Sequence, residues 1–280
     1  MNNSTVNFTT SETSTNSTTQ SLGLIDYMEI CEYSISFMVG IPTHSYVIWL
    51  IITGAASGVA SELFNLNLSV CEIVSCLNCL FHILKLFISS ITELPMFLLG
   101  LVFTARPLFQ CLICVERYLA VVHPVTFLKY KPLRYRVICC TVVWIIALGS
   151  CLCSMFSFIL NIRYGYKWFF SLQFILLLSI QLFCLVAVLR ALKQTGPGER
   201  IRERKEENHM KKRAFQLILI TFLSMFIIHV LFIITGFYSI LIKNIQEFWF
   251  LSLVCYVLDG FVQPLLYLHR AGKLSCLCTF

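Results

Sequence analysis

Charged side chains are scarce in this sequence. Lysine, arginine, aspartate and glutamate together make up 12% of the 280 residues, whereas 58% of the residues are hydrophobic. The mean hydropathy is +0.81, and a water-soluble domain of this length needs far more polar surface to cover its core. The composition therefore excludes a soluble globular protein and predicts an integral membrane protein.

Polar residues are also missing from long stretches, which leaves apolar runs of roughly 20 residues, the length at which a helix spans a bilayer core. The seven runs cover about 34–54, 63–89, 94–122, 137–160, 168–193, 210–239 and 247–269. They predict an all-α membrane protein in which residues 34–269 form a bundle of seven transmembrane helices. Residues 1–33 form an N-terminal tail and residues 270–280 a short C-terminal tail.

The basic residues are unevenly divided between the two ends of these spans. Sixteen of the 21 lysines and arginines follow spans 1, 3, 5 and 7, and four lie on the other side. Because basic residues concentrate on the cytoplasmic side of membrane proteins, we predict an extracellular N-terminus and a cytoplasmic C-terminus. The net charge of +7 then reflects topology, and we expect no nucleic-acid partner.

A cleavable signal peptide is not recognisable, because the first 22 residues contain no basic residue and no apolar run. This segment is rich in serine, threonine and asparagine, which predicts a disordered extracellular tail. Glycosylation sequons begin at Asn2, Asn3, Asn7 and Asn16. At the other end, Cys276 and Cys278 are candidates for acylation, which would bring them into contact with membrane lipid.

Motifs for catalysis are absent as well. We find no nucleophile, metal-ligand or phosphate-loop pattern, so we expect no enzymatic activity, no cofactor and no bound metal. A transporter is a less favoured alternative: acids and bases within the membrane also mark transporters, but the sequence has no internal repeat and no paired broken helices.

Several short motifs resemble those of the rhodopsin-like (class A) G-protein-coupled receptors. CVERYLAVVHPV, 114–125, resembles the family's Asp/Glu-Arg-Tyr motif, and QPLLY, 263–267, resembles its Asn-Pro-x-x-Tyr motif. LNLSVCE, 66–72, resembles the span 2 motif LNLAVAD, and Trp144 matches the single tryptophan of span 4. The resemblance implies a multi-pass plasma-membrane receptor that transmits the binding of an unidentified extracellular ligand to a heterotrimeric G protein.

The resemblance also implies a switch at the cytoplasmic ends of the spans. In the family, the arginine matched by Arg117 is held by the neighbouring acid, here Glu116, and is released toward the G protein when spans 5 and 6 move outward. A guanidinium at the membrane edge needs a partner of this kind. The candidate switch residues are Glu116, Arg117, Tyr118, Gln263, Pro264 and Tyr267. An alternative is that the Glu-Arg-Tyr triplet only marks the cytoplasmic boundary.

Three ionisable residues lie deep within the predicted spans, where charge is costly and indicates function. They are Glu72 in span 2, Arg106 in span 3 and Asp259 in span 7. Arg106 lies about 16 Å from Arg117 along the helix, on the same face. By the resemblance, Glu72 and Asp259 face a cavity in which family members bind a sodium ion.

We hypothesise that the Arg106 guanidinium replaces this sodium ion and pairs with both acids. A proton on one acid, or a charged His229, would balance the remaining negative charge. His44, which stands where the family usually has asparagine, completes the candidate charge network. A network that only fixes helix packing is the alternative reading.

Some family features are missing. Span 5 has no proline, span 6 has neither the usual tryptophan nor the usual proline, and Thr92 stands where the first cysteine of the outer disulfide belongs. The kinks that focus movement in relatives are therefore lost, while Pro107 is expected to add one in span 3. These departures favour, as an alternative, a divergent non-signalling heptahelical protein such as a decoy or a dimerisation partner.

The ligand-pocket candidates implied by the resemblance are apolar and aromatic. They are Leu99, Gly100, Phe232, Ile233, Trp249 and Leu253. Amine receptors of the family place an aspartate at the position of Leu99, so we expect no amine ligand. Ordinary helix packing without a small-molecule pocket is the alternative.

Overall fold

The computed structural model is helical, without a strand, in the part of the chain that it describes. The described residues are 24–54, 62–88, 91, 93–130, 133–160, 163–193, 212, 215–216, 218–228, 230–231, 234 and 246–270. Side chains are described for these residues except 24–26, 129–130, 163–168, 192–193, 246–253 and 270. The predicted all-α fold class is confirmed.

Eight helices lie within these residues. They are α1 (Leu24–Ile52), α2 (Leu63–Leu84), α3 (Glu93–Val122), α4 (Pro124–Tyr130), α5 (Leu133–Ile159), α6 (Arg163–Lys193), α7 (Ile218–Ile228) and α8 (Gln246–Arg270). Five of them, α1, α2, α3, α5 and α6, are long and apolar enough to cross a membrane. They correspond to the first five predicted spans, and α7 and α8 lie within or across the sixth and seventh.

Several helix boundaries differ from the sequence expectation by four residues or more, and one helix was not expected. Helix α1 begins at Leu24, well before position 34, so it extends into the segment predicted to be a tail. The short helix α4, which begins at Pro124, lies in a connection between spans that the sequence analysis treated only as a basic surface. Proline at a first helical position is favourable because its missing N–H has no partner to lose there.

Polar residues within α1 satisfy their own hydrogen bonds locally. Ser34 Oγ donates to the Ile30 carbonyl and Thr43 Oγ1 to the Val39 carbonyl, both at 2.7 Å. Bonds of this type let hydroxyl groups lie in an apolar helix without an unpaired donor.

Helix α3 lies at the centre of the bundle. It packs against α2, α4, α5 and α6, while α1 packs against α2 and α8. Among the five described spans it is the most buried. A charged residue midway along α3, such as the buried Arg106, therefore has neighbouring helices rather than lipid around it.

A glycine sets the close approach of α3 to α5. A Cβ atom at Gly100 would overlap the backbone of Ser150 and Cys151 on α5. The two helices therefore touch through their main chains at this level, and any larger residue would force them apart.

Trp144 links α5 to α2 by a hydrogen bond. Its Nε1 donates to Asn67 Oδ1 at 2.8 Å, and Asn67 Nδ2 donates to the Leu63 carbonyl at 2.8 Å. The Trp144 ring also packs edge-on against Phe109 of α3, with ring centroids 6.0 Å apart. These contacts fix α2 and α5 around the central helix α3.

Candidate functional site

Arg106 joins α2, α3 and α8 at the centre of the bundle. Its Nη2 donates to Glu72 Oε2 in an ion pair whose side chains are only 6% and 3% exposed. The same Nη2 lies 3.3 Å from Ser75 Oγ, and Nη1 donates to the Tyr256 carbonyl oxygen at 2.9 Å. The guanidinium carbon also lies 3.9 Å from the centre of the Tyr256 ring. One side chain thus contacts a carboxylate, a hydroxyl, a carbonyl and an aromatic face.

The partner of Asp259 is an amide rather than a guanidinium. Gln110 Nε2 of α3 donates to Asp259 Oδ2 at 3.2 Å. Asp259 Oδ1 is buried, and no hydrogen-bond partner for it occurs among the described residues. The structure therefore brings Glu72, Arg106 and Asp259 into one neighbourhood, with Gln110 between Asp259 and helix α3. We call Glu72, Arg106 and Asp259 the central cluster.

Gly260 lets α8 lie directly against this ion pair. A Cβ atom at this position would lie 3.2 Å from Glu72 Oε2 and 3.3 Å from Arg106 Nη2, which is closer than most Cβ contacts. The glycine therefore leaves the space that the guanidinium and carboxylate fill.

A cavity of about 470 Å³ lies between α1, α2, α3, α5 and α8, on the predicted extracellular side of the central cluster. Glu72, Arg106 and His44 contribute to its lining. His44 is buried and its ring stacks on that of Phe261, with centroids 6.5 Å apart. The wall is otherwise largely apolar and aromatic, including Leu99, Val102, Phe103, Phe158, Val257 and Phe261.

Of the predicted ligand-pocket residues whose side chains are described, one lines the cavity and one does not. Leu99 lines the cavity, whereas Gly100 faces the α5 backbone and serves helix packing. Phe232 and Ile233 lie outside the described residues, and only the backbone of Trp249 and Leu253 is described.

Near the predicted cytoplasmic end of α3, Glu116 is paired with a residue that was not among the candidates from the sequence. Arg136 of α5 donates through Nη2 to Glu116 Oε1, and the two side chains are 7% and 12% exposed. Glu116 thus lies beside Arg117 in the sequence and beside Arg136 in space. We call Glu116, Arg117 and Arg136 the inner cluster.

Three predicted switch residues meet at one small cavity. Arg117, Gln263 and Tyr267 all line a space of about 30 Å³ between α2, α3, α7 and α8. Gln263 Nε2 donates to Thr221 Oγ1 at 2.9 Å, which connects α8 to α7. Pro264 lies inside α8, which continues through it.

Tyr118 faces a different direction. Its hydroxyl lies 3.0 Å from His123 Nε2, and its ring packs edge-on against Phe183 of α6 with centroids 5.7 Å apart. Tyr118 therefore links the end of α3 to α6 and to the start of the following connection.

Other predicted residues fall outside the described part of the chain. These are His229, the glycosylation candidates Asn2, Asn3, Asn7 and Asn16, and the acylation candidates Cys276 and Cys278.

Sequence reasoning missed several cavity residues that a helical pattern could have identified. Ser75, Cys79 and His82 follow Glu72 at steps of three or four residues, so they share one face of α2. All of them line the cavity. A test for polar residues at helical spacing from Glu72 would have found this face, but the contribution of Ser154 and Phe158 from α5 has no comparable signal.

Known proteins resemble this chain along most of its length. The family described as 7 transmembrane receptor (rhodopsin family) matches residues 44–267. Chemokine XC receptor 1 of Homo sapiens is 28% identical in an alignment of 214 positions that covers 69% of this chain and 60% of that receptor. Hydroxycarboxylic acid receptor 2 of Rattus norvegicus is 26% identical in an alignment of 244 positions that covers 78% of this chain and 62% of that receptor.

A third relative matches a shorter region. The uracil nucleotide/cysteinyl leukotriene receptor of Rattus norvegicus is 30% identical in an alignment of 124 positions that covers 41% of this chain and 36% of that receptor. The matched region covers less than two thirds of the length of each of these three relatives.

Proposed function

We propose, from the premise that this chain belongs to the rhodopsin family of seven-transmembrane receptors, that it transmits the binding of an extracellular ligand to a heterotrimeric G protein. As a member of this family it is a multi-pass membrane receptor with a bundle of seven transmembrane helices. The plasma membrane is the proposed location, because an extracellular ligand and an intracellular G protein can both reach it there.

One observation carries the proposal: Arg117, Gln263 and Tyr267 line the same small cavity at the inner end of the bundle. These residues come from α3 and α8, which are far apart in the sequence. A rearrangement of α7 or α8 changes the surroundings of Arg117 because both helices border that cavity. This arrangement supports Arg117 as the residue through which helix movement reaches the G protein.

The inner cluster supplies an acid that two arginines can share. Glu116 binds Arg136 across helices and is adjacent to Arg117 along α3. Because Glu116 keeps Arg136 as a partner when Arg117 moves away, the movement avoids the cost of leaving a largely buried carboxylate unpaired. We propose that Glu116 and Arg136 together set the resting position of Arg117.

The central cluster supports a different role. The Arg106 guanidinium occupies the space beside Glu72 that a bound metal cation would need, and its charge would repel a second cation there. Arg106 further contacts α8 through the Tyr256 carbonyl oxygen. We propose that Arg106 acts as a permanent cation in place of a removable sodium ion and holds α2, α3 and α8 together.

Nucleotide exchange on purified heterotrimeric G proteins tests the proposed function. Membranes containing the full chain are compared with membranes containing Arg117→Ala and Lys85→Ala, at equal surface expression. Lys85→Ala also removes one positive charge, but at the predicted extracellular end of α2. We expect Arg117→Ala to lower exchange by about tenfold, a typical size for coupling between sites, and Lys85→Ala to leave it unchanged.

Two outcomes would contradict the proposal. Exchange that survives the loss of Arg117 would exclude Arg117 from the switch. Absence of exchange with every heterotrimer class, with and without candidate ligands, would favour a non-signalling heptahelical protein such as a decoy or a dimerisation partner.

A further inference from the structure

We propose that the cavity between α1, α2, α3, α5 and α8 binds an uncharged, mainly apolar molecule that carries a hydrogen-bond donor. The inference rests on the proposed function, since it assigns this molecule as the ligand of the receptor. The cavity volume of about 470 Å³ falls in the usual range of roughly 300–1,000 Å³ for small-molecule sites.

The charge of the cavity lining disfavours an ionic ligand. Among the described lining residues, Arg106 is the one lysine or arginine and Glu72 the one carboxylate. These two side chains bind each other, so their formal charges cancel. A carboxylate ligand would meet Glu72 beside its intended partner, and an ammonium ligand would meet Arg106. Either ion would lose its hydration without gaining an uncommitted partner of opposite charge.

The guanidinium offers little accessible capacity to a ligand anion, because its Nε, which has no partner among the described residues, is itself buried. Both Nη atoms already donate to protein groups, namely Glu72, Ser75 and the Tyr256 carbonyl oxygen. The Tyr256 ring covers one face of the guanidinium. An incoming carboxylate would therefore have to break an existing buried contact. Its binding would cost more free energy than binding at a site with free donors.

The two histidines that line the cavity are packed as aromatic rings. His44 stacks on Phe261, and His82 stacks on Tyr33 with ring centroids 5.3 Å apart. Together with Leu99 these rings present apolar faces to a bound molecule. The body of the ligand is accordingly aromatic or aliphatic.

The donor requirement comes from Asn78. This α2 residue is 5% exposed and lines the cavity, and its Oδ1 has no hydrogen-bond partner among the described residues. A buried amide carbonyl without a donor is costly and is seldom left so in native proteins. This oxygen has almost no accessible surface, so the proposal requires the Asn78 side chain to turn toward the cavity, where a hydroxyl or amide N–H on the ligand would satisfy it.

Three probe molecules of one shape separate the alternatives: phenylbutanol, phenylbutanoate and phenylbutylammonium. Each is added to the purified full chain, and thermal unfolding is followed with a thiol-reactive dye, because most of the described cysteines are buried. We expect the alcohol to raise the unfolding temperature most. The readout needs no G protein, so its failure is distinguishable from a failure of the proposed signalling.

Two substitutions provide matched controls. Leu99→Trp takes up part of the cavity and should reduce the shift caused by the alcohol, whereas Leu172→Trp, at a side chain that is 64% exposed on α6, should retain it. Asn78→Asp replaces the neutral acceptor with a carboxylate and should make phenylbutylammonium the most stabilising probe.

The outcomes decide the proposal in either direction. A shift specific to the alcohol that Leu99→Trp reduces and Leu172→Trp keeps supports the assignment. A larger shift with phenylbutanoate or phenylbutylammonium in the unsubstituted chain overturns it. So does an alcohol shift of equal size in Leu99→Trp, or no shift with the alcohol at all.

Discussion

The central and inner clusters use the same residue types in opposite proportions. The central cluster has two acids, Glu72 and Asp259, around one arginine, whereas the inner cluster has two arginines around one acid, Glu116. Both lie along α3, about 16 Å apart if measured between Arg106 and Arg117 at 1.5 Å per residue. In the central cluster Arg106 pairs with Glu72 while Asp259 accepts from Gln110. In the inner cluster Glu116 pairs with Arg136 and adjoins Arg117 along α3.

The two clusters differ in how many interactions a movement of their central residue, Arg106 or Glu116, would break. Arg106 has three helices around it and makes contacts with a carboxylate, a carbonyl and an aromatic ring, so moving it breaks several interactions together. Glu116 lies near the end of α3 and can stabilise either neighbouring arginine. The central cluster is therefore suited to hold the bundle, and the inner cluster is suited to change partners.

The largest expected effect comes from breaking the central pair on one side. Arg106→Met leaves Glu72 buried without its cation, which should lower the free energy of unfolding by about 3–5 kcal/mol. The double variant Glu72→Gln, Arg106→Met removes both charges and should recover more than half of that loss. Thermal and chemical unfolding of the purified full chain measure both values. A double variant as unstable as the single one would show that the pair is not the source of the effect.

The matching change in the inner cluster should cost less. Arg136→Ala removes the partner of Glu116, which is 12% exposed and near the end of α3. We expect a loss of about 1–3 kcal/mol, between the values for exposed and fully buried pairs. Arg134→Ala, an exposed position on the same helix, is the control and should change little. A loss equal to that of Arg106→Met would remove the distinction between the clusters.

Gly260 allows a further test of the difference between the clusters, because it lies directly against the Glu72–Arg106 pair of the central cluster. Gly260→Ala places a Cβ atom 3.2 Å from Glu72 Oε2 and should destabilise the chain by about 1 kcal/mol through overpacking. Gly149→Ala on α5 meets nothing within 4 Å and should be neutral or stabilising by up to about 1 kcal/mol because alanine favours helix. Unfolding temperatures that move in the same direction for both variants would contradict the proposed contact.

A single neutral hydrogen bond, from Trp144 to Asn67, gives a reference value against which the free energies of the two ion pairs can be compared. Trp144→Phe keeps the aromatic ring but removes the hydrogen bond to Asn67, with an expected cost of about 1 kcal/mol. Trp49→Phe, at a side chain that is 56% exposed, should cost less than half as much. Equal losses in unfolding free energy would indicate that ring size rather than the hydrogen bond matters.

The sequence predicted the helices and the intramembrane charges because both depend on local composition. Apolar runs located the spans, and the depth of Arg106 followed from its spacing to Arg117 along one helix. Contacts between helices were harder to predict. The choice of Arg136 as the partner of Glu116, and of Gln110 as the partner of Asp259, depends on helix rotation and separation that no single segment encodes.

The cavity was the least predictable feature. Leu99 was expected to face a pocket and does so, but Gly100 beside it serves the close approach of α5. One residue of difference on a helix turns a side chain by about 100°, so a list of neighbouring residues cannot separate a pocket position from a packing position. The polar face of α2 can be recognised from its helical spacing in the sequence. The cavity residues of α5 can be identified only from the way the helices pack.

The permanent cation in the central cluster is tested most directly by a sodium titration of thermal stability. The purified full chain is unfolded in increasing sodium chloride, with choline chloride holding the ionic strength constant, beside an Arg106→Ser variant. If the guanidinium takes the place of a removable ion, the unfolding temperature of the unsubstituted chain stays constant, while that of Arg106→Ser rises with sodium. A sodium-dependent rise in the unsubstituted chain would contradict the account.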